Sequence, residues 1–218
     1  MRECMIDGPR DFSQGVEVFF KARAAFIYEQ FGRELSYKEY VVSQFEKMHE
    51  IPDEGVICFW FEDDLFCQAN FWFLMYYLKY HKAQKFLVRS GDSSPYSFAG
   101  LSDKGILEAF KQKKELEAED LSTLWKLYEA DDKNGVEALS EVFFEEHPFI
   151  KAAFEAHFDR LASGQSFGKP KETLKEIGTE LGFEDFGKVF REFQRRVPIY
   201  GYGDLQVQNM LKELKKEK

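Results

Sequence analysis

The apolar run over residues 55–61, GVICFWF, constrains the fold of this chain more than any other segment. It is short, aromatic and preceded by turn residues, which is typical of a strand buried on both faces of a parallel sheet. Three acidic residues follow it, and an apolar pattern then predicts a helix over about 65–81. Residues 86–88 are predicted as a second strand. Strand, helix and strand together form a βαβ unit, so we expect two adjacent parallel strands.

The rest of the chain shows helical spacing of its apolar residues. The predicted fold is therefore α/β and mostly helical: a truncated, Rossmann-like parallel sheet followed by an all-α C-terminal part. We divide it into a partial Rossmann-like α/β domain at 1–98, a helical region at 99–164, and a three-helix C-terminal unit at 165–218. The last unit loosely resembles a helix-turn-helix or winged-helix unit.

Composition excludes several classes of protein. There is no uncharged apolar stretch of about 18 residues and no apolar signal core at the start, so neither a membrane protein nor a secreted one is expected. The three cysteines, Cys4, Cys58 and Cys67, are far apart and form no CxxC pair. They are interpreted as reduced thiols of a cytoplasmic protein, without a zinc site.

Charge gives a weak indication of partners. The formal net charge of −9 argues against a non-specific coat on nucleic acid. Residues 165–218 are slightly basic, however, and Arg191, Arg195 and Arg196 lie on one predicted helix that could contact phosphates. Nucleic-acid binding is therefore not expected, but the C-terminal unit leaves it open.

A candidate ligand site follows the first strand. Glu62 and Asp64 come directly after it, and ligands of open α/β sheets bind at the carboxyl ends of strands. Gln68 lies four residues after Asp64, so both side chains share one face of the helix.

Three adjacent carboxylates would repel a phosphate. A phosphorylated ligand would therefore require Mg²⁺, which takes oxygen ligands, or an arginine such as Arg2 or Arg23. The alternative is structural: Asp63 caps the helix, Asp64 opposes its dipole, and Glu62 pairs with Arg2 or Arg23.

His157 and Arg160 lie one helical turn apart. His157 is a candidate general base, because the ordinary pKa of histidine is about 6.5. A lone histidine on a helix is also a common packing residue, so both interpretations stay open.

The segment over 60–70, WFEDDLFCQAN, resembles a block of the bacterial family called domain of unknown function 1835. Further matching pairs occur in the same order along the chain: Arg2-Glu3, Gly8-Pro9, Gly100-Leu101, Ala156-His157 with Arg160, and Gly203-Asp204. The resemblance implies a Rossmann-like N-terminal part and a helical C-terminal part. It adds Glu3 to the candidate site, and it implies no activity.

The resemblance also implies missing strands. Family members begin with a strand ending in Gly-Asp, followed by a strand ending in the Arg-Glu seen here at the start. We therefore expect that Met1 is an internal start or that the chain is a truncated variant. Its sheet should then keep an open edge, which predicts lower stability or self-association.

Together these observations predict a protein that binds a phosphorylated small molecule or nucleotide, with a hydrolase or a transferase as the class of enzyme it could be. The alternative is a non-enzymatic regulator or partner-binding protein that uses its C-terminal helices. The candidate catalytic residues are Glu62, Asp64 and His157, and the candidate ligand-binding residues are Arg2, Glu3, Arg23, Gln68 and Arg160.

Overall fold

The computed structural model describes residues 3–32, 36–164 and 166–216. Within them, a small mixed sheet has the strand order β1-β2-β3. β1 (Val56–Trp60) and β2 (Gln84–Val88) run parallel, with Val56 opposite Gln84 and Trp60 opposite Val88. The predicted pair of adjacent parallel strands is confirmed.

A third strand was not predicted. β3 (Lys114–Glu115) pairs antiparallel with β2, so that Leu87 lies opposite Lys114. Both residues of β3 are charged and exposed, and therefore carry no apolar pattern that could reveal a strand. β3 covers the far edge of β2 and leaves β1 at the other edge of the sheet.

The fold is α/β and mostly helical. The helices that precede and connect the strands are α1 (Val16–Phe31), a π-helical turn (Lys38–Val42), α2 (Ser43–Met48), α3 (Leu65–Tyr77) and α4 (Asp103–Lys111). The helices that follow the sheet are α5 (Ala118–Glu129), α6 (Lys133–Glu137), α7 (Glu141–Glu146), α8 (Pro148–Arg160), α9 (Lys169–Leu181), α10 (Phe186–Arg196), a 3₁₀ turn (Pro198–Tyr200) and α11 (Asp204–Lys216).

The helix between the two parallel strands, α3, is the centre of the core. Nearly all of its residues are buried, as its continuous apolar sequence predicts. It packs against α5 and α8, and the Trp72 ring stacks on Phe154 with 4.2 Å between ring centroids. Because α3 is held on several sides, the turn at its N-terminus has a rigid support.

Two predicted helices are divided in the structure. The helix expected over 36–49 begins as the π-helical turn and continues as α2. The helix expected over about 136–144 is replaced by α6 and α7. Asp132 accepts a hydrogen bond from the Gly135 N–H, and Ser140 accepts one from the Phe143 N–H. Each cap therefore starts a short helix of its own.

The three predicted C-terminal helices are present as α9, α10 and α11. Their buried residues belong to the same continuous hydrophobic cluster as those of α3 and α5. Across the part of the chain that the structure describes, every helix is too short or too polar to cross a membrane.

Candidate functional site

The turn after β1 directs its acidic side chains inward. Asp64 is buried, and its Oδ1 accepts a hydrogen bond from the Cys67 N–H at 2.9 Å, which caps α3. Gly201 lies directly against this carboxylate: a Cβ at position 201 would be 2.0 Å from Asp64 Oδ1. Only glycine permits this close approach, so the loop before α11 helps to enclose the turn.

Glu62 connects the turn to the next loop. Its Oε1 accepts a hydrogen bond from the Phe98 N–H at 3.1 Å, and its Oε2 accepts one from the Cys67 thiol at 3.1 Å. One ligand atom each from Glu62, Asp64 and Cys67 lie within 4.8 Å of one another. We call these three residues the cation cluster, because two carboxylates and a thiol are donors that metal ions use.

Gln68 lies beside the cation cluster. Its side chain is fully buried, and its Nε2 donates a hydrogen bond to the Glu62 carbonyl at 2.9 Å. No described residue donates a hydrogen bond to its buried Oε1. A buried amide oxygen without a donor is costly, since it loses its hydrogen bond to water on folding.

The acidic residues have other structural roles than the sequence predicts. Asp64, not Asp63, caps α3. Asp63 instead forms a two-point ion pair with Arg89, which follows β2, with Nε–Oδ1 and Nη2–Oδ2 distances of 2.8 and 2.5 Å. This pair joins the carboxyl ends of β1 and β2, and the Arg89 guanidinium lies over the Phe149 ring of α8.

Arg23 takes a different partner from the predicted ones. It is fully buried, and it donates three hydrogen bonds to the carboxylate of Glu3, which also accepts one from the Tyr37 hydroxyl. Arg23 also donates to the carbonyls of Cys4, Asp7 and Pro9. Burial raises the pKa of the Glu3 carboxyl, and the Arg23 charge acts against that rise. Arg2, the other predicted arginine, lies outside the described residues.

Arg160 holds the same segment from the opposite side. It donates to the Asp7 carboxylate at 3.0 Å and to the Ile6 carbonyl at 2.6 Å, and it also contacts the hydroxyls of Tyr128 and Tyr202. We call residues 3–10, which Arg23 and Arg160 hold together, the arginine-held segment.

His157 belongs to this second network. It is fully buried, with its Nε2 2.7 Å from Asp131 Oδ1 and its Nδ1 3.3 Å from Arg160 Nε. The carboxylate can only accept, so Nε2 carries the proton and Nδ1 accepts from Arg160. Burial and the nearby Arg160 charge lower the pKa of His157 to about 4. The ring is therefore neutral near pH 7, and its two nitrogens bind protein groups.

Two cavities are lined in part by α1, and only the smaller one is lined by a residue of the arginine-held segment. One, of about 330 Å³, is lined by Asp7 and Arg160 together with α1 and α11 residues. The other is an aromatic groove of about 800 Å³ between α1, the π-helical turn and the end of α3. Neither is lined by a residue of the cation cluster.

Two of the three arginines of α10 that were predicted to contact phosphates are neutralised by their neighbours. Arg195 pairs with Glu192, and Arg196 pairs with both Glu192 and Glu180 of α9. These pairs leave less positive potential for phosphates than the sequence alone indicates.

The structure thus sorts the predicted residues into two groups. Glu62, Asp64 and Gln68 lie together at the end of β1. Glu3, Arg23, His157 and Arg160 lie around the arginine-held segment, and the Glu3 N–H donates to Asn70 of α3 at 2.8 Å. Cys67 was missed as a site residue, although its place three residues after Asp64 on a helix was available as a signal. Nothing in the sequence around Asp7 or Asp131 indicates that they would bind Arg160 and His157.

Comparison with known proteins adds no relative. No family model, no curated protein and no solved structure matches this chain. The resemblance to domain of unknown function 1835 stays a prediction.

Proposed function

We propose that this protein binds a divalent cation at the cation cluster and, through the cation, the phosphate of a small molecule or nucleotide. The observation that carries the proposal is the proximity of the Glu62, Asp64 and Cys67 ligand atoms, all within 4.8 Å of one another. They lie at the carboxyl edge of the parallel pair β1–β2, where α/β proteins bind ligands.

A cation is needed because of the signs of the charges. Two carboxylates repel a phosphate, so a positive charge must offset their negative charge. The hydrogen bonds of Arg23 go to Glu3 and to backbone carbonyls of the arginine-held segment. Arg89 forms its two-point pair with Asp63. Both arginines are therefore engaged, which favours a metal ion as the bridge.

The donor set favours zinc over magnesium, although the spacing of the cysteines in the sequence predicts no zinc site. Zn²⁺ binds thiolate and carboxylate ligands, whereas Mg²⁺ takes oxygen ligands and would use only Glu62 and Asp64. In a tetrahedral zinc site, neighbouring ligand atoms are about 3.5 Å apart, given bond lengths of about 2.0–2.3 Å. Shifts of about 1 Å would close the cluster around Zn²⁺ and leave a fourth position for a phosphate oxygen.

Cation binding must replace an existing hydrogen bond. The Cys67 thiol donates a hydrogen bond to the Glu62 carboxylate, and the thiol proton leaves when the sulfur binds a metal. The proposed affinity therefore increases with pH. The Asp64 carboxylate can keep its capping bond through Oδ1 while Oδ2 binds the ion.

The geometry favours binding and assigns no reaction. Both nitrogens of His157, the predicted general base, are hydrogen-bonded to Asp131 and Arg160. Hydrolase or transferase chemistry with Glu62 and Asp64 as catalytic groups stays a prediction.

Isothermal titration of the full chain with Zn²⁺ and with Mg²⁺ tests the cation, and titration of nucleotides with and without the cation tests the phosphate. We expect Zn²⁺ binding that is lost in Cys67→Ser and Glu62→Gln. The matched controls are Cys58→Ser on β1 and Glu108→Gln on α4, which should bind normally. Equal binding by all four variants, or none by the unaltered chain, contradicts the cation site. If Zn²⁺ binds but nucleotides bind neither with it nor without it, the proposed phosphate binding is contradicted and the cation site is not.

A further inference from the structure

The exposed edge of β1 shows a feature that the proposed function does not use. Gly55 accepts a hydrogen bond from the Gln84 N–H at 3.0 Å, and Phe61 donates one to the Val88 carbonyl at 3.2 Å. Backbone groups alternate in direction along a strand, so odd-numbered residues face β2. The N–H and C=O groups of Val56, Cys58 and Trp60 therefore point away from β2.

No described strand pairs with this edge, since β1 is the last strand in the order of the sheet. Residues 56–60 contain neither proline nor a charged residue, the usual features that prevent pairing at an exposed edge. Such an edge is a template for another strand.

Apolar side chains accompany the edge. Val56 is 55% exposed and Trp60 is 41% exposed, at the two ends of the strand. The Trp60 ring stacks on Phe110 of α4 with 6.0 Å between centroids, and Leu107, one turn earlier on α4, is also exposed. We call these four residues the edge patch. An exposed apolar patch beside a strand edge with which no described strand pairs indicates an interaction surface.

We propose that a second copy of this chain occupies the edge, with the two β1 strands antiparallel about a two-fold axis at Cys58. Cys58 then lies opposite its own copy, and Val56 lies opposite Trp60 of the second copy. In this register the outward backbone groups of both strands face each other and pair reciprocally. The two sheets join into one continuous sheet across the axis.

The same register explains why pairing stops after five residues. Glu54 of one chain would lie opposite Glu62 of the other, and like charges directly opposite each other on paired strands are unfavourable. A two-fold arrangement also closes on itself, because each chain uses its single β1 edge in the contact. The proposal is therefore a dimer and not a fibre.

Light scattering coupled to size-exclusion chromatography tests this over a concentration series. We expect a species of twice the chain mass of 25.6 kDa. Val56→Lys places a charge in the edge patch and should give a monomer with an unchanged circular-dichroism spectrum. The control Leu181→Lys alters a similarly exposed apolar residue, on α9, and should remain dimeric.

A short thiol-specific crosslinker gives a second measurement. The unaltered chain should form a covalent dimer, Cys58→Ser should lose it, and Cys4→Ser should keep it. A monomer at every concentration overturns the proposal. A dimer that survives Val56→Lys and crosslinks without Cys58 also overturns it, because the contact would then use another surface.

Discussion

The cation cluster and the arginine-held segment are two polar regions that are assembled in different ways. The three residues of the cluster lie within six positions of one another in the sequence. The arginine-held segment is bound by Arg23 of α1, Arg160 of α8 and Gln206 of α11, and Gln206 Nε2 donates to Asp7 across 199 positions. The first region is therefore assembled by local geometry, whereas the second forms only when the whole chain has folded.

This difference leads to different expectations for mutations. A buried ion pair becomes strongly unfavourable when one partner is removed, because the other charge stays buried without compensation. A helix cap contributes less, since water replaces part of the lost bond. Changes in the arginine-held segment should therefore affect folding, and changes in the cation cluster should affect binding.

The largest effect is expected for Arg23→Ala. It leaves Glu3 buried without its ion pair and frees three carbonyls, so the free energy of unfolding should fall by about 3–5 kcal/mol. Chemical denaturation measures this. Lys21→Ala on the exposed side of the same helix is the control, with a change within about 0.5 kcal/mol. A double variant, Arg23→Met with Glu3→Gln, should lose less stability than Arg23→Ala, because it leaves no buried charge without its partner. Equal stability of Arg23→Ala and Lys21→Ala would contradict the predicted role.

Acid should weaken the same region through His157. Its pKa is about 4 in the folded protein and about 6.5 when unfolded, so the unfolded chain binds the proton between these values. Stability therefore decreases as the pH falls from 6.5 to 4, by about 3 kcal/mol for this group alone. Denaturation curves at several pH values should show a shallower slope in this window for His157→Gln. If the unaltered chain and His157→Gln show the same dependence of stability on pH, His157 does not cause the loss of stability in acid.

Asp64 separates capping from binding in the cation cluster. Asp64→Ala removes the cap of α3 and should cost about 1 kcal/mol of stability. Asp64→Asn keeps an oxygen that accepts from the Cys67 N–H, so its stability should change by only a few tenths of a kcal/mol. Both variants lack the carboxylate and should lose cation binding in the titration. A stable Asp64→Asn that still binds Zn²⁺ normally would remove Asp64 from the proposed site.

The smallest effect is expected on nucleic acid. Because Arg195 and Arg196 are paired with Glu192 and Glu180, duplex DNA should show no tight, salt-sensitive binding at low ionic strength. Fluorescence anisotropy with the unaltered chain and with the Arg195→Ala, Arg196→Ala double variant should give the same weak signal. Tight binding that the double variant loses would instead support the regulator hypothesis.

The elements that could be predicted are those with strong local patterns. The continuous apolar run at β1, the acidic turn and the apolar helix α3 were predicted with boundaries that differ by a few residues. β3 could not be predicted, because Lys114 and Glu115 pair with β2 without burying apolar side chains. The helix expected at 136–144 is divided because Asp132 and Ser140 each cap a short helix. The spacing of the apolar residues does not show where such caps form.

The positions of the carboxylates relative to a strand end followed from the order of the residues, because Glu62 and Gln68 lie within seven consecutive residues. The sequence also determined that α3 would be buried on nearly all sides. The pairing of each arginine with its acid depended instead on how the folded chain packs. Arg23 binds Glu3, Arg89 binds Asp63 and Arg160 binds Asp7, and each choice depends on how separate elements pack. Charge attraction depends on distance and dielectric environment, and neither can be read from the order of the residues.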